Sequence, residues 1–391
     1  MIGGVCLYNG TMEETPGRPT YLEVQLDRLG QNLENIRRHV RPAKVLIVLK
    51  ANAYGHGVDG VARALAAEAD YIGVAIVEEG VHLREIGVRK PILVMGGTLA
   101  EQLPLFLKYG LTLSASSFEL LQAAERSAAA SGTKLMVHLK IDTGMERVGV
   151  HEYEAETFIE QSLACHSLDI EGIFTHLANS DISDLTHARL QLQRFREVLA
   201  VYERRGAPAP PIRHAANSGG ILQLPEAHLD MVRAGLMLYG VYPGPDVTRT
   251  VDVRPALRWH SRVAHSKITR AGRPVSYGST WASGTATRIL TIPCGYADGY
   301  FRRMSGKARV IVKGRKYAQV GRVCMDQFMV NAGDDDPEVG SDVILLGQDE
   351  SGEQVSVEDM ARWAGTIEYE IMTNISARVP RVFRSAVGAA L

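Results

Sequence analysis

Short apolar runs and amphipathic stretches alternate over the first two thirds of the chain. The apolar runs, rich in β-branched residues, stand at Val45–Leu49, Tyr71–Ile76, Pro91–Met95, Leu111–Ala115, Leu135–Ile141, Leu168–Thr175, Ile212–Ala215 and Leu229–Arg233. Runs this short and this continuously apolar read as strands covered on both faces, as in a parallel sheet. Between them the spacing lengthens to that of a helix. Leu29, Leu33 and Ile36 share a face after Asp27, the expected cap. Val58, Val61, Ala62 and Leu65 recur at helical spacing. So do Leu192, Phe195, Leu199 and Tyr202 within Thr186–Arg205, a helix that Gly206 can end. Strands alternating with helices in this way predict an α/β fold with an N-terminal (β/α)8 barrel of the TIM type. A doubly wound sheet has the same periodicity, but no Gly-x-Gly-x-x-Gly follows the first strand.

After Gly240 the texture changes. Tyr242-Pro243-Gly244-Pro245 breaks the alternation. Beyond it lie strand-like runs at Trp259–Ile268, Arg288–Pro293, Ala308–Val312, Phe328–Asn331 and Asp342–Leu346, and one helix near Val357–Trp363. This predicts a C-terminal, mainly β domain. The expected division is a leader over residues 1–20, a barrel over 21–245 and the β domain over 246–391. The leader lacks the basic start and apolar run of a signal peptide. No stretch is long and apolar enough to span a bilayer, so no membrane contact is expected.

Composition adds exclusions. Lys and Arg total 43 against 44 Asp and Glu, so no global field favours nucleic acid or an acidic membrane. Cys6, Cys165, Cys294 and Cys324 are scattered without metal-type spacing, so no metal is expected and a reduced, cytoplasmic protein is the simpler reading.

The candidate chemistry sits where strands end. Val45–Leu49 runs straight into Lys50, which therefore lies at the carboxyl end of a strand, the end that carries the chemistry of α/β barrels. Gly55 and Gly57 are expected to bend the chain beyond it. A lysine here can snorkel, stem packed and amine in water. It can also be a Schiff-base lysine, because a partly desolvated amine loses proton affinity and its neutral form attacks an aldehyde. Position leaves both open. Lys140 to Gly149 is a charged loop after the fifth strand. His176 ends the sixth strand and Arg233 the eighth, places that could face one ligand. Asn217-Ser218-Gly219-Gly220 and Gly235-Leu236 follow strands seven and eight, where barrels often bind phosphate.

The segment Val48-Leu49-Lys50-Ala51-Asn52-Ala53-Tyr54-Gly55-His56-Gly57 resembles the pyridoxal-phosphate attachment motif of the alanine racemase family, and later segments extend the resemblance over almost the whole chain. It implies a fold-type III enzyme in which Lys50 holds pyridoxal 5'-phosphate. Tyr54, Ser218, Gly235, Leu236 and Tyr369 would hold the phosphate, and Asn217 belongs with them. The arginine of Met231-Val232-Arg233-Ala234-Gly235 would meet the pyridine nitrogen, with His176 behind it. Arg147 would contact the ring oxygen and the substrate carboxylate. Lys140 matches a lysine that the family often carries as a carbamate.

Val275-Ser276-Tyr277-Gly278-Ser279-Thr280 is similar to the motif whose tyrosine is the second base, acting in the partner subunit. Racemisation takes a proton from one face and delivers one to the other, which suits two fixed groups. Lys50 would serve the D-alanine face and Tyr277 the L-alanine face. Met325, in Gly321-Arg322-Val323-Cys324-Met325-Asp326-Gln327, would give a backbone contact to the substrate carboxylate. Tyr296, Arg302 and Arg322 match residues lining a narrow entrance. The resemblance thus implies a homodimer that interconverts L- and D-alanine and supplies peptidoglycan precursors. One rival is a fold-type III decarboxylase, since Cys324 lies where those enzymes carry a catalytic cysteine, although their surrounding signature is missing. A non-catalytic pyridoxal-phosphate carrier is the other, opposed by the residues after about Tyr242.

Overall fold

The computed structural model describes residues 17–385. The leader expected over 1–20 therefore lies, as far as residue 16, outside the described residues. The described chain forms two compact units. One comprises Leu29–Ala53 and Val61–Arg254; the other comprises residues up to Arg28, Tyr54–Gly60 and Pro255 onward.

In the first unit eight parallel strands run in the order Met231–Ala234, Lys44–Val48, Tyr71–Val74, Ile92–Val94, Thr112–Ala115, Leu135–Asp142, Leu168–Phe174 and Ile212–His214. The end strands approach through Asp230 N donating to Arg213 O (3.0 Å) and Arg233 N to Ala216 O (2.9 Å), so the barrel is nearly closed. Helices alternate with the strands, among them Leu26–Val40, Val58–Leu65, Phe118–Ser131 and Thr186–Arg204. The strands are where the apolar runs put them, because residues of both parities are buried: Val45, Leu46 and Ile47 have no exposure. Two details differ. Leu229 has φ 50°, a left-handed conformation that cannot be extended, so the eighth strand starts at Met231. Asp27 lies inside the first turn of its helix rather than capping it, where the helix dipole still favours its charge.

The second unit is built on a sheet in the order His265–Thr269, Thr287–Ile292, Phe328–Gly333, Arg315–Val320, Arg309–Val312, Asp342–Gln348, Leu257–Arg262, Tyr21–Gln25 and Arg381–Arg384. The single run expected over Trp259–Ile268 is two strands, broken at Val263 and Ala264. Those residues turn their N–H groups to Ser341 O and Thr291 O, both at 2.9 Å. Arg315–Val320 was not expected, because its first four residues are polar or exposed. Tyr21–Gln25, expected in the barrel, pairs antiparallel with Leu257–Arg262 and parallel with Arg381–Arg384. Its alternating burial marks a half-buried strand, and alternation does not say which sheet receives it. The helix near Val357 runs to Ala364 with a Ser356 cap. Among the described residues, no helix is long and apolar enough to cross a membrane.

Candidate active site

A cavity of about 220 Å³ opens at the carboxyl ends of the barrel strands. Lys50, Lys140, Arg147, His176 and Arg233 line it, with apolar walls from Ala75, Met95, Met145, Val148 and Phe174.

Lys50 leads into a left-handed turn. Ala51, Asn52, Ala53 and Tyr54 have φ between 51° and 56°, four successive residues with side chains in a region that favours glycine. The bend expected from Gly55 and Gly57 therefore begins earlier. Such a conformation costs about 1–2 kcal/mol per residue, so its surroundings must hold it. Ala51 N donates to Glu79 Oε1 (2.6 Å), and Ala53 N to Leu49 O (3.0 Å). The other oxygen of Glu79 accepts from Ala75 N at 2.8 Å, which ties the turn to the next strand end. Burial lowers the pKa of the Lys50 amine, Arg147 lowers it further, and Glu79 opposes both.

The loop carrying Arg147 is shaped by one carboxylate. Asp142 accepts from Gly144 N (2.8 Å), Met145 N (2.9 Å) and Arg147 N (3.1 Å). Burial works against the Asp142 charge, but these donors hold its carboxyl below the usual range. Lys140 is buried, donates to Ile141 O at 2.8 Å and lies 5.3 Å over the Phe174 ring. Burial, then Arg233, with Arg147 adding to them against the pull of Asp142, bring its amine to about 7.

Arg233 is buried, and its Nη1 and Nη2 donate to the barrel. They reach Thr175 O (2.8 Å), Ala215 O (2.9 Å), His214 Nδ1 (3.0 Å) and His176 Nδ1 (3.2 Å). Burial and then Arg147 lower the guanidinium to about 9, so it stays charged at neutral pH. His176 is held far below the usual imidazole range by burial and then by Arg233, and is neutral.

Asn217 caps the short helix Ser218–Gln223 by accepting from Gly220 N at 3.0 Å. Ser218 Oγ accepts from Met237 N at 3.3 Å. The turn after strand seven thus meets the Leu236–Tyr239 turn that follows Gly235. First turns leave backbone N–H groups without helical partners, a setting that suits an anion.

In the other unit a second group of expected residues is gathered. Pro274–Val275 pairs with Trp281–Ala282, and the Tyr277–Ser279 turn joins them. Ser276 Oγ donates to Arg322 O at 2.6 Å, and the Arg322 guanidinium covers Gly278 so closely that a Cβ there would lie 3.0 Å from Cζ. Tyr296 N donates to Cys324 O (3.0 Å) and Ala297 N to Met325 O (2.9 Å). Val323 N donates to Ser305 Oγ at 3.0 Å, and that hydroxyl donates to Arg302 O at 2.6 Å. Tyr277, Tyr296, Arg302, Arg322 and Met325 therefore sit on loops that hold one another. Tyr277 is 71% exposed, Met325 52% and Tyr296 42%. Elsewhere in this unit the rings of Tyr54 and Tyr369 lie 6.0 Å apart.

Several neighbours of the cavity were not expected: Glu79, Asp142, His138, Glu171 and His214. His138, Lys140 and Asp142 alternate along one strand and so share a face. That spacing was the available signal for two of them.

Residues 24–243 match the family model "Alanine racemase, N-terminal domain", and residues 256–383 match "Alanine racemase, C-terminal domain". The alanine racemase of Carboxydothermus hydrogenoformans is 45% identical over 370 residues, 94% of this chain and 100% of the relative. The solved alanine racemase of Clostridium difficile is 37% identical with a TM-score of 0.89, covering 95% of this chain and 97% of that one. That of the D-cycloserine producer Streptomyces lavendulae is 35% identical with a TM-score of 0.91, covering 97% and 99%.

Proposed function

Because this chain belongs to the alanine racemase family, we propose that it interconverts L-alanine and D-alanine using pyridoxal 5'-phosphate held at Lys50. As a family member it is an isomerase. The observation that carries the proposal is the meeting of Lys50, Arg147, His176 and Arg233 in one cavity at the catalytic end of a barrel. The donor set fits the cofactor. It supplies an amine biased toward its nucleophilic form, a guanidinium that can only donate, apolar walls for a ring, and first-turn amides for a phosphate. When bound, pyridoxal phosphate supplies an electron sink that acidifies the substrate Cα–H.

The chain's own groups divide the remaining work. Lys50 takes or returns the Cα proton on the D-alanine face, and Tyr277 does so on the L-alanine face. Arg233, which can only donate, would face the ring nitrogen, while His176 steadies the Arg233 guanidinium. Arg147 receives the substrate carboxylate, for which a planar fork is suited, and the Met325 backbone adds a second contact. Asn217, Ser218, Gly235 and Leu236 would hold the phosphate. Tyr296, Arg302 and Arg322 line the way in.

Tyr277 stands 71% exposed on its own unit. A base that must work out of water needs covering, which supports a homodimer in which residues from 246 onward complete the partner's site. Lys140 is placed to carry a carbamate: an amine near 7 is partly neutral at neutral pH, and the product's negative charge would face Arg147 and Arg233. A 13C signal from labelled bicarbonate, lost in Lys140→Met, is expected; its absence removes the carbamate. The D-alanine would feed peptidoglycan precursors.

The test is chiral chromatography of L-alanine incubated with the protein and pyridoxal phosphate. Convergence to equal amounts of both enantiomers is expected. Persistence of L-alanine alone, or release of carbon dioxide instead, overturns the proposal.

A further inference from the structure

Behind Arg233 a single file of polar side chains runs down the barrel interior, away from the cavity. Arg233 Nη1 lies 3.0 Å from His214 Nδ1, and His214 Nε2 lies 2.9 Å from His138 Nδ1. His138 Nε2 faces Glu171 Oε1 at 3.4 Å, an electrostatic contact rather than a hydrogen bond, and has no hydrogen-bond partner among the described residues. Tyr71 Oη also donates to Glu171 and lies 2.6 Å from Thr112 Oγ1. His138 and His214 have no exposure. Both rings are locked in place. Phe174 stacks on His214 with centroids 4.6 Å apart and planes 10° from parallel. Gly172 leaves room for His138, since a Cβ there would fall 2.4 Å from Nδ1.

The direction of every bond in this file follows from its two ends. A guanidinium only donates, so His214 Nδ1 must accept. The His214 proton is then on Nε2, which donates to His138 Nδ1. The His138 proton is in turn on Nε2, facing an anionic oxygen of Glu171. Reversing one ring would set donor against donor at Arg233 or acceptor against acceptor at Glu171. A buried group left unpaired in this way is costly.

We propose that Glu171 is a positioning residue for racemisation: acting through His138 and His214, it holds both imidazoles in the Nε2–H tautomer and reserves His214 Nδ1 as an acceptor for Arg233. This rests on the reading that Arg233 faces the cofactor ring. Glu171 touches neither substrate nor cofactor in it. Its carboxylate sets the polarity of a hydrogen-bond file whose other end aims the guanidinium. Burial, the first cause for each ring, lowers the pKa of both His138 and His214, in keeping with neutral rings.

The experiment is 15N NMR of the full chain labelled at histidine, at pH 7, before and after addition of pyridoxal phosphate. His138 and His214 are expected to carry their proton on Nε2 in both states. A proton on Nδ1 of either ring overturns the proposal. Glu171→Leu removes the anion that His138 Nε2 faces; the resonances of His214, the ring beyond His138, should then move toward a mixture of tautomers. In the loaded enzyme kcat should fall about tenfold (~1.4 kcal/mol) with KM unchanged. Glu171→Gln keeps an acceptor oxygen and should restore the tautomers and most of kcat. His214 resonances that ignore Glu171→Leu overturn the proposal. Should that variant not fold, the wild-type and Glu171→Gln spectra decide. Wild-type protein that racemises nothing defeats the functional assignment instead, while the spectra still judge the file.

Discussion

The two units hold their candidate functional residues in opposite ways. In the barrel, Lys50, Lys140, His176 and Arg233 are desolvated and crowded by like charge, and burial is the first cause of every pKa displacement among them. In the β unit, Tyr277, Met325 and Tyr296 stand in water on loops that brace one another. A barrel can close over a site and tune it alone. A loop patch has no such enclosure, so its chemistry depends on what covers it. The barrel residues thus spend stability to gain reactivity, and the exposed patch spends none.

The contrast can be broken first at Lys50. Lys50→Met should abolish racemisation and retention of pyridoxal phosphate, yet leave the urea midpoint no lower than in the parent chain, because a crowded amine is replaced by an apolar group of similar length. A fall in midpoint of the size of a core deletion would show that Lys50 is structural. Tyr277→Phe comes next. Its activity should drop by about 10²–10⁴-fold, the scale of a lost general acid–base group. Stability should stay within about 0.5 kcal/mol, as for other surface changes. Full activity would remove Tyr277 from the mechanism.

Smaller effects sharpen the same contrast. Gly172→Ala pushes a methyl into the His138 ring and should cost about 1–3 kcal/mol by overpacking. Gly284→Ala in the β unit, with nothing within 4 Å among the described residues, should change stability little in the same melts. Lys140 gives the finest test. Folding lowers its amine to about 7, so between there and the ordinary range near ~10.4 the unfolded chain binds more protons and stability rises with pH. In buffer freed of carbon dioxide, Lys140→Met should flatten that rise by up to ~1.4 kcal/mol per pH unit. An unchanged slope between pH 7 and 9 would mean that the amine is not desolvated.

Legibility in the sequence followed the range of the interaction. Barrel strands announce themselves because a strand covered on both faces is apolar at every position. Tyr21–Gln25 and Arg315–Val320 did not, since each carries polar or exposed positions, and the partners of Tyr21–Gln25 are remote in the chain. The turn after Lys50 was expected at Gly55 and Gly57, but not its left-handed start at Ala51. Ala51, Asn52, Ala53 and Tyr54 have no intrinsic call to be left-handed, and Glu79, 28 residues from Ala51, supplies the bond that keeps them so. The cavity residues were found by motif, but their electrostatic state was not, because it arises from burial and from Arg147 and Arg233 acting on groups distant in the chain.

The amino-acid order by itself determined the alternation of strand and helix, the change of texture after Gly240, and which side chains are candidates for the chemistry, because periodicity and local motif are properties of neighbours. Only the tertiary structure decided that Tyr277 stands in water while Arg233 is sealed. It alone brought the rings of His138 and His214, 76 residues apart, to within 2.9 Å of each other. Exposure and hydrogen-bond polarity belong to pairs of groups brought together by folding, and no single segment contains both members.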